Sequence, residues 1–163
     1  MRQEELKRIL DYDAGTGDLT WKVNVKGLKG KKAGGPRECR RGGTYWRVTV
    51  SGKRYGAHRL IWFMVTGAWP TAQIDHRDGN GLNNAWANLR LATNSQNKAN
   101  TGRYKNSTTG LKGVSVERTT GKFLAQIQKD GQKVYLGLFP SPQQAHEAYL
   151  QAAKRLFGEF ARA

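Results

Sequence analysis

Apolar positions along the first half of the chain follow helical and then alternating spacing. Leu6, Ile9 and Leu10 share one face of residues 2–10 and predict a short amphipathic helix. A turn follows at 11–17, and Asp18–Val23 reads as a short strand. Thr44–Val50 alternates, with Trp46, Val48 and Val50 opposite Tyr45, Arg47 and Thr49, the pattern of a half-buried strand. Ser51-Gly52 supplies a tight turn into Lys53–Gly56. The stretch His58–Thr66 then carries Leu60, Ile61, Met64 and Val65 as a helical stripe, ended by Gly67 and Pro70. Residues 26–43 break the pattern. Lys26, Lys29, Lys31, Lys32, Arg37, Arg40 and Arg41 sit among glycines, as a phosphate-contacting loop or a solvated linker.

The pattern restarts after a polar, turn-rich segment, TGRYKNSTT at 101–109, which reads as a linker. Leu111–Glu117, Lys122–Lys129 and Gln132–Phe139 read as strands, the last two joined by Asp130-Gly131, a strong hairpin signal. A helix follows, with Ser141 as N-cap, Pro142 at its first position and Gln144 completing a capping box. Its apolar stripe is Ala145, Ala148, Tyr149, Ala152 and Leu156, and His146 falls on the opposite, exposed side. The fold class expected is α+β: a domain at 1–100, a linker at 101–109 and a small sheet-plus-helix domain at 110–163.

Charge narrows the partner. Lys and Arg number 28 against 12 Asp and Glu, a net +16 that points to a polyanion such as nucleic acid. The single cysteine, Cys39, excludes an internal disulfide or a cysteine-rich zinc site and is compatible with a reducing compartment. The N-terminus is too polar for a signal peptide, and no run approaches the ~20 apolar residues that span a bilayer. A cytoplasmic location and no membrane partner are expected.

The chemistry concentrates in QIDHRDGNGLNNAWANLRLATNSQNKAN at 73–100. Ile74, Leu89 and Leu91 suggest two short strands around a Gly- and Asn-rich loop, and Thr93 or Asn94 then caps a short helix. Asp75 and His76 are adjacent at the end of the first strand. A carboxylate there and a carboxamide from the following helix can share a hard cation such as Mg²⁺. A nearby imidazole can take a proton from water attacking phosphorus. Asn83, Asn84 and Asp78 read as loop and turn formers, and His58 as structural.

This segment resembles the ββα-metal (His-Me finger) motif of HNH endonucleases, in particular the phage and mobile-element homing branch that ends in Asn. HRLIW at 58–62, AWP at 68–70 and NLR at 88–90 add to a resemblance covering roughly residues 11–100. It implies that Asp75 and Asn97 bind one divalent metal, Mg²⁺ or Mn²⁺, that His76 is the general base, and that Asn88 braces the loop. It further implies hydrolysis of DNA phosphodiesters to 5′-phosphate and 3′-hydroxyl ends, within a bacterial host cell if phage-encoded.

Residues 110–160 resemble the AP2 DNA-binding domain through GKF at 121–123, YLGLF at 135–139 and the helix AHEAYLQAA. The resemblance implies a three-stranded sheet laid in the major groove of double-stranded DNA, with the helix behind it. Phe123, Ala125 and Ile127 suit the helix-facing side. Ser115, Glu117, Arg118, Lys122, Gln126, Gln128, Lys133 and Tyr135 are the expected DNA-facing residues. Plant members carry Arg at the positions of Ser115 and Glu117 and Trp at that of Tyr135, so their target preference does not transfer.

The expectation is a metal-dependent endodeoxyribonuclease. A non-catalytic DNA-binding regulator that keeps the fold is the alternative. An RNA-binding basic protein ranks lower, because the sheet face lacks paired aromatics for stacking bases. One catalytic set per chain implies nicking by a monomer and double cutting by a DNA-bound dimer.

Overall fold

The computed structural model describes residues 1–24, 27–39, 42–102 and 107–162. The expected basic positions Lys26, Arg40 and Arg41 lie outside these, as do residues 103–106 of the linker segment. By contacts the chain divides into Met1–Leu91 and Ala92–Ala163.

The first unit opens with α1 (Gln3–Ile9), β1 (Leu10–Tyr12) and β2 (Leu19–Trp21). The two strands pair antiparallel, Leu10 opposite Trp21. Residues 11–17 therefore hold a strand as well as a turn. Next come β3 (Gly35–Glu38), β4 (Thr44–Val50) and β5 (Lys53–Gly56), a sheet in the order β3-β4-β5. β3 corrects the reading of 26–43 as loop or linker throughout. It is an edge strand, and Pro36 is compatible with an edge, where a missing N–H costs no ladder bond. The Ser51-Gly52 turn has positive φ at both residues (48° and 75°), the type I′ geometry that suits a two-residue hairpin.

Helix α2 (Ala57–Thr66) buries Ala57, Leu60, Ile61, Phe63 and Met64. Val65, expected in the stripe, is 44% exposed, and Phe63 takes its place. The core joins α1, β1, β2, β4 and α2 through Leu6, Leu10, Leu19, Val48, Val50, Leu60 and Ile61, all essentially inaccessible to water. Each such side chain contributes roughly 1.5–3 kcal/mol by burial. Strands β6 (Gln73–His76) and β7 (Leu89–Ala92) pair as a two-stranded sheet, bridged by the loop at 77–88.

The second unit contains α3 (Asn94–Asn100), β8 (Val114–Val116), β9 (Phe123–Lys129), β10 (Gln132–Phe139) and α4 (Pro142–Phe157). Thr93 caps α3 in a full capping box with Gln96, as expected. Its Ala99 packs with Ile127, Tyr149, Ala152, Ala153, Phe157 and Phe160. The contact division thus falls before α3, whereas the sequence reading placed a boundary at residue 100. The sheet runs β10-β9-β8, with Asp130-Gly131 another positive-φ hairpin turn (50° and 85°). Ser141 Oγ accepts from Gln144 N as expected, while its hydroxyl donates to Gln144 Oε1. His146 is half-buried, its Nδ1 3.0 Å from Lys112 O, which corrects its assignment to an exposed face. Among the described residues no helix is long and apolar enough to cross a membrane.

Candidate functional site

β6 ends with two buried polar residues in succession, Asp75 and His76, each 4% exposed. Burying a carboxylate is costly unless it is paired. Arg90, on the neighbouring strand β7, supplies the pair: its Nε donates to Asp75 Oδ2 at 2.8 Å. The sequence reading gave Arg90 no role of its own. Its signal was a basic residue in a strand otherwise made of apolar positions.

The loop at 77–88 is braced by its own amides. Asn88 Nδ2 donates to Asp78 Oδ1 at 2.9 Å and to Asn83 O at 2.8 Å, and its Oδ1 accepts from Asp78 N at 3.0 Å. Asp78 also accepts from Asn80 N and from Asn83 Nδ2. These bonds hold its carboxyl below the usual carboxylate range, against the opposing effect of burial. Gly81 presses the loop onto β4: a Cβ there would lie 2.5 Å from Thr44 O. Tyr45 of β4 is thereby brought beside the site, its ring 5.9 Å from that of His76.

Asn84 is 2% exposed, and its Oδ1 lies 3.2 Å from His76 Nε2. Sequence reasoning took it for a loop former, because Asn in a Gly- and Asn-rich run signals a turn by itself. Burial lowers the pKa of His76, an effect partly offset by the Asn84 hydrogen bond and by Asp78 and Asp75. His58, at the start of α2, stands edge-on to His76 with ring centroids 5.3 Å apart. Its Nδ1 is buried without a hydrogen-bond partner, and burial with the nearby His76, Arg59 and Arg47 pushes its pKa down to about 3. Burial thus favours the neutral form of both imidazoles.

Asn97 lies in α3, which belongs to the second unit, half-buried and one residue past the capping box. Asp75, His76 and Asn88 belong to the first. Among the described residues no cluster of three or more His, Cys, Asp and Glu side chains could form a metal cage by itself.

In the C-terminal sheet, Ser115 pairs with Leu124, Gln126 with Tyr135 and Gln128 with Lys133, which puts these residues on one face. The other face carries Ala125 and Ile127, 0% and 4% exposed, beneath α4. Tyr135 is 64% exposed. Arg118 and Lys122 are exposed and flank the β8–β9 turn outside the strands. Glu117 is already engaged: its carboxylate accepts from Thr119 N, Thr120 N and Thr120 Oγ1, and these bonds pull its pKa down to about 2. Gln128 Nε2 similarly donates to Gly131 O at 3.0 Å.

Residues 55–99 match the HNH endonuclease family. An uncharacterized HNH endonuclease of Acanthamoeba polyphaga mimivirus is 37% identical over 64% of this chain and 54% of its own length. A protein of Escherichia phage T7 is 36% identical over 47% of this chain and 64% of its own. The chain thus spans between half and two thirds of these relatives. Dehydration-responsive element-binding protein 2A of Arabidopsis thaliana is 40% identical over 36% of this chain and 18% of its own length. The solved structure of DNA binding and cleavage by the HNH homing endonuclease I-HmuI aligns with a TM-score of 0.43 at 22% identity, over 90% of this chain and 80% of that one. The buried Asp75–His76 pair thus lies within the part of the chain, residues 55–99, that matches the HNH endonuclease family.

Proposed function

We propose that the chain is an endonuclease that hydrolyses phosphodiester bonds of double-stranded DNA with the help of one divalent cation. The observation that carries this reading is the buried His76 next to Asp75, at the start of a loop braced by Asn88. A general base must be unprotonated to work, and burial favours that form of the imidazole.

The donor chemistry fits an oxygen-seeking cation. Asp75 offers a carboxylate and Asn97 a carboxamide, the ligand types that Mg²⁺ and Mn²⁺ take alongside water. Arg90 Nε uses one of about four acceptor positions on a carboxylate and holds the group in place. When bound, such a cation neutralises phosphate charge and stabilises the leaving oxygen. The chain's own residues do the rest. His76 accepts the proton of the attacking water, Asn88 keeps the loop in shape, and Arg90 orients Asp75.

In this proposal the C-terminal sheet is an AP2-like module that docks in the major groove. Ser115, Gln126, Lys133 and Tyr135 share its open face, with Arg118 and Lys122 at the rim. The relation to a plant element-binding protein and the net charge of +16 agree with such a face. Glu117 is withdrawn from it, because its carboxylate closes the β8–β9 turn.

The test is conversion of supercoiled plasmid to relaxed or linear form in Mg²⁺ or Mn²⁺, with His76→Ala and EDTA as controls. Metal-dependent cutting lost in His76→Ala supports the nuclease. DNA bound but never cut under either metal instead supports a regulator that has kept the fold. Asn97→Ala should weaken metal binding by about tenfold or more while leaving DNA affinity in place.

A further inference from the structure

His76 works as a base only if its basic nitrogen faces the water, and two neutral tautomers are available to it. Asn84 decides between them. Its Nδ2 donates to Leu82 O at 3.2 Å, so its Oδ1 is the atom turned toward His76 Nε2, 3.2 Å away. A reversed amide would set Oδ1 against a carbonyl oxygen. Nε2 therefore carries the proton and Nδ1 the lone pair.

Asn84 is itself held from outside residues 55–99, by the β1–β2 hairpin. Tyr12 Oη donates to Asn84 O at 3.0 Å. Trp86 N donates to Ala14 O at 2.9 Å. At Gly17 (φ +80°) the hairpin meets the loop backbone so closely that a Cβ would lie 2.3 Å from Asn84 C and from Ala85 N. Asp13 stiffens that turn by accepting from Gly15 N and Thr16 N. Two of these contacts fall on the Asn84–Ala85 peptide and the third on the next one, and the Asn84 side chain touches the imidazole.

We infer that Asn84 is a positioning residue that fixes His76 as its Nε2–H tautomer, with Nδ1 as the nitrogen that accepts the proton, and that the β1–β2 hairpin holds Asn84 for this purpose. The inference rests on the nuclease reading for its purpose, but the tautomer is measurable without catalysis. Nitrogen-detected imidazole NMR on the full chain reports which nitrogen is protonated. His76→Gln assigns the signal.

The wild type should show His76 as one tautomer, protonated at Nε2. Asn84→Leu should convert this to a mixture and lower kcat by about 10–100-fold, with KM changed less than about twofold on the same footing. Tyr12→Phe removes one hydroxyl from the hairpin clamp without touching the site and should lower kcat in the same sense, by a smaller factor. It also serves if Asn84→Leu fails to fold. A wild type protonated at Nδ1, or an unchanged tautomer in folded Asn84→Leu, overturns the role of Asn84. Unchanged kcat and tautomer in Tyr12→Phe overturn the hairpin's role. If the tautomer behaves as stated but the wild type cuts no DNA, it is the nuclease reading that fails.

Discussion

Arg90 and Asp75 form an ion pair from which water is nearly excluded, with side chains 7% and 4% exposed and an Nε–Oδ2 distance of 2.8 Å. The pair spans β6 and β7, so it ties the strand that carries His76 to its partner in that two-stranded sheet. Removing one partner strands the other charge in a poorly polarisable setting. Arg90→Ala is expected to cost about 3–5 kcal/mol of stability, read by urea unfolding followed through tryptophan fluorescence. The double variant Arg90→Met with Asp75→Leu should recover most of that loss. Equal losses in the single and double variants would mean that the pair is not what matters.

His58 gives the first unit a specific acid sensitivity. Its pKa is about 3 in the folded chain against an ordinary 6.5, so between these values the unfolded chain binds more protons. Stability therefore falls as pH drops from 6.5 toward 3, by an amount on the order of a few kcal/mol. His58→Phe should flatten that part of the unfolding profile. A profile identical in wild type and variant would place the acid sensitivity elsewhere.

Lys112 acts in the opposite range of pH. Burial, with the charge of Arg162, draws its pKa from 10.5 down to about 8. Its Nζ donates to Ala99 O at 2.5 Å and Arg162 O at 2.9 Å. Between these pKa values the unfolded chain again holds the extra proton, so raising the pH from 8 to 10.5 stabilises the fold. The stability difference between wild type and Lys112→Met should therefore shift in favour of wild type across that interval. Thermal unfolding of both proteins at matched pH measures it.

The sheet face can be dissected by salt. Lys133→Ala should reduce the slope of log affinity against log salt by about one and weaken binding alike on all sequences. Tyr135→Ala, which removes a side chain that is 64% exposed, should cost binding energy with little change in stability. Glu117→Ala should do the reverse, loosening the turn that its carboxylate closes. A large effect of Glu117→Ala on DNA affinity at unchanged stability would return that residue to the binding face.

What the sequence made legible was local. Asp130-Gly131 and Ser51-Gly52 carry their turn in their own backbone preferences, and Thr93 and Ser141 cap helices three residues away. Neighbouring strands with alternating side chains followed from period alone. The misses share a non-local cause. β3 exists because Gly35–Glu38 finds β4 as a partner, which nothing in its basic, glycine-rich composition announces. Val65 and Phe63 exchanged roles because α2 meets its core over a face set by other elements. At the site, Asp75, His76 and Asn88 stood out as chemistry, but Asn84 and Arg90 gained their roles only when folding set them against His76 and Asp75, 8 and 15 residues away. Polar loop residues look alike in sequence whether they meet water or an imidazole.

Strand β10 carries one irregularity. Tyr135 pairs with Gln126 and Gly137 with Ala125, so Leu136 is an extra residue in the ladder. That one residue reverses odd and even for everything downstream. Leu138 pairs with Leu124 on the open face rather than turning inward, and Phe139 pairs with Phe123 on the helix side. Deleting Leu136 would therefore remove only the bulge and its local bend, leaving Gly137, Leu138 and Phe139 opposite their present partners and on their present faces. A one-residue change of length in β10 is thus absorbed at Leu136, whereas one within the regular ladder at Gly137–Phe139 would turn Leu138 and Phe139 to the opposite faces.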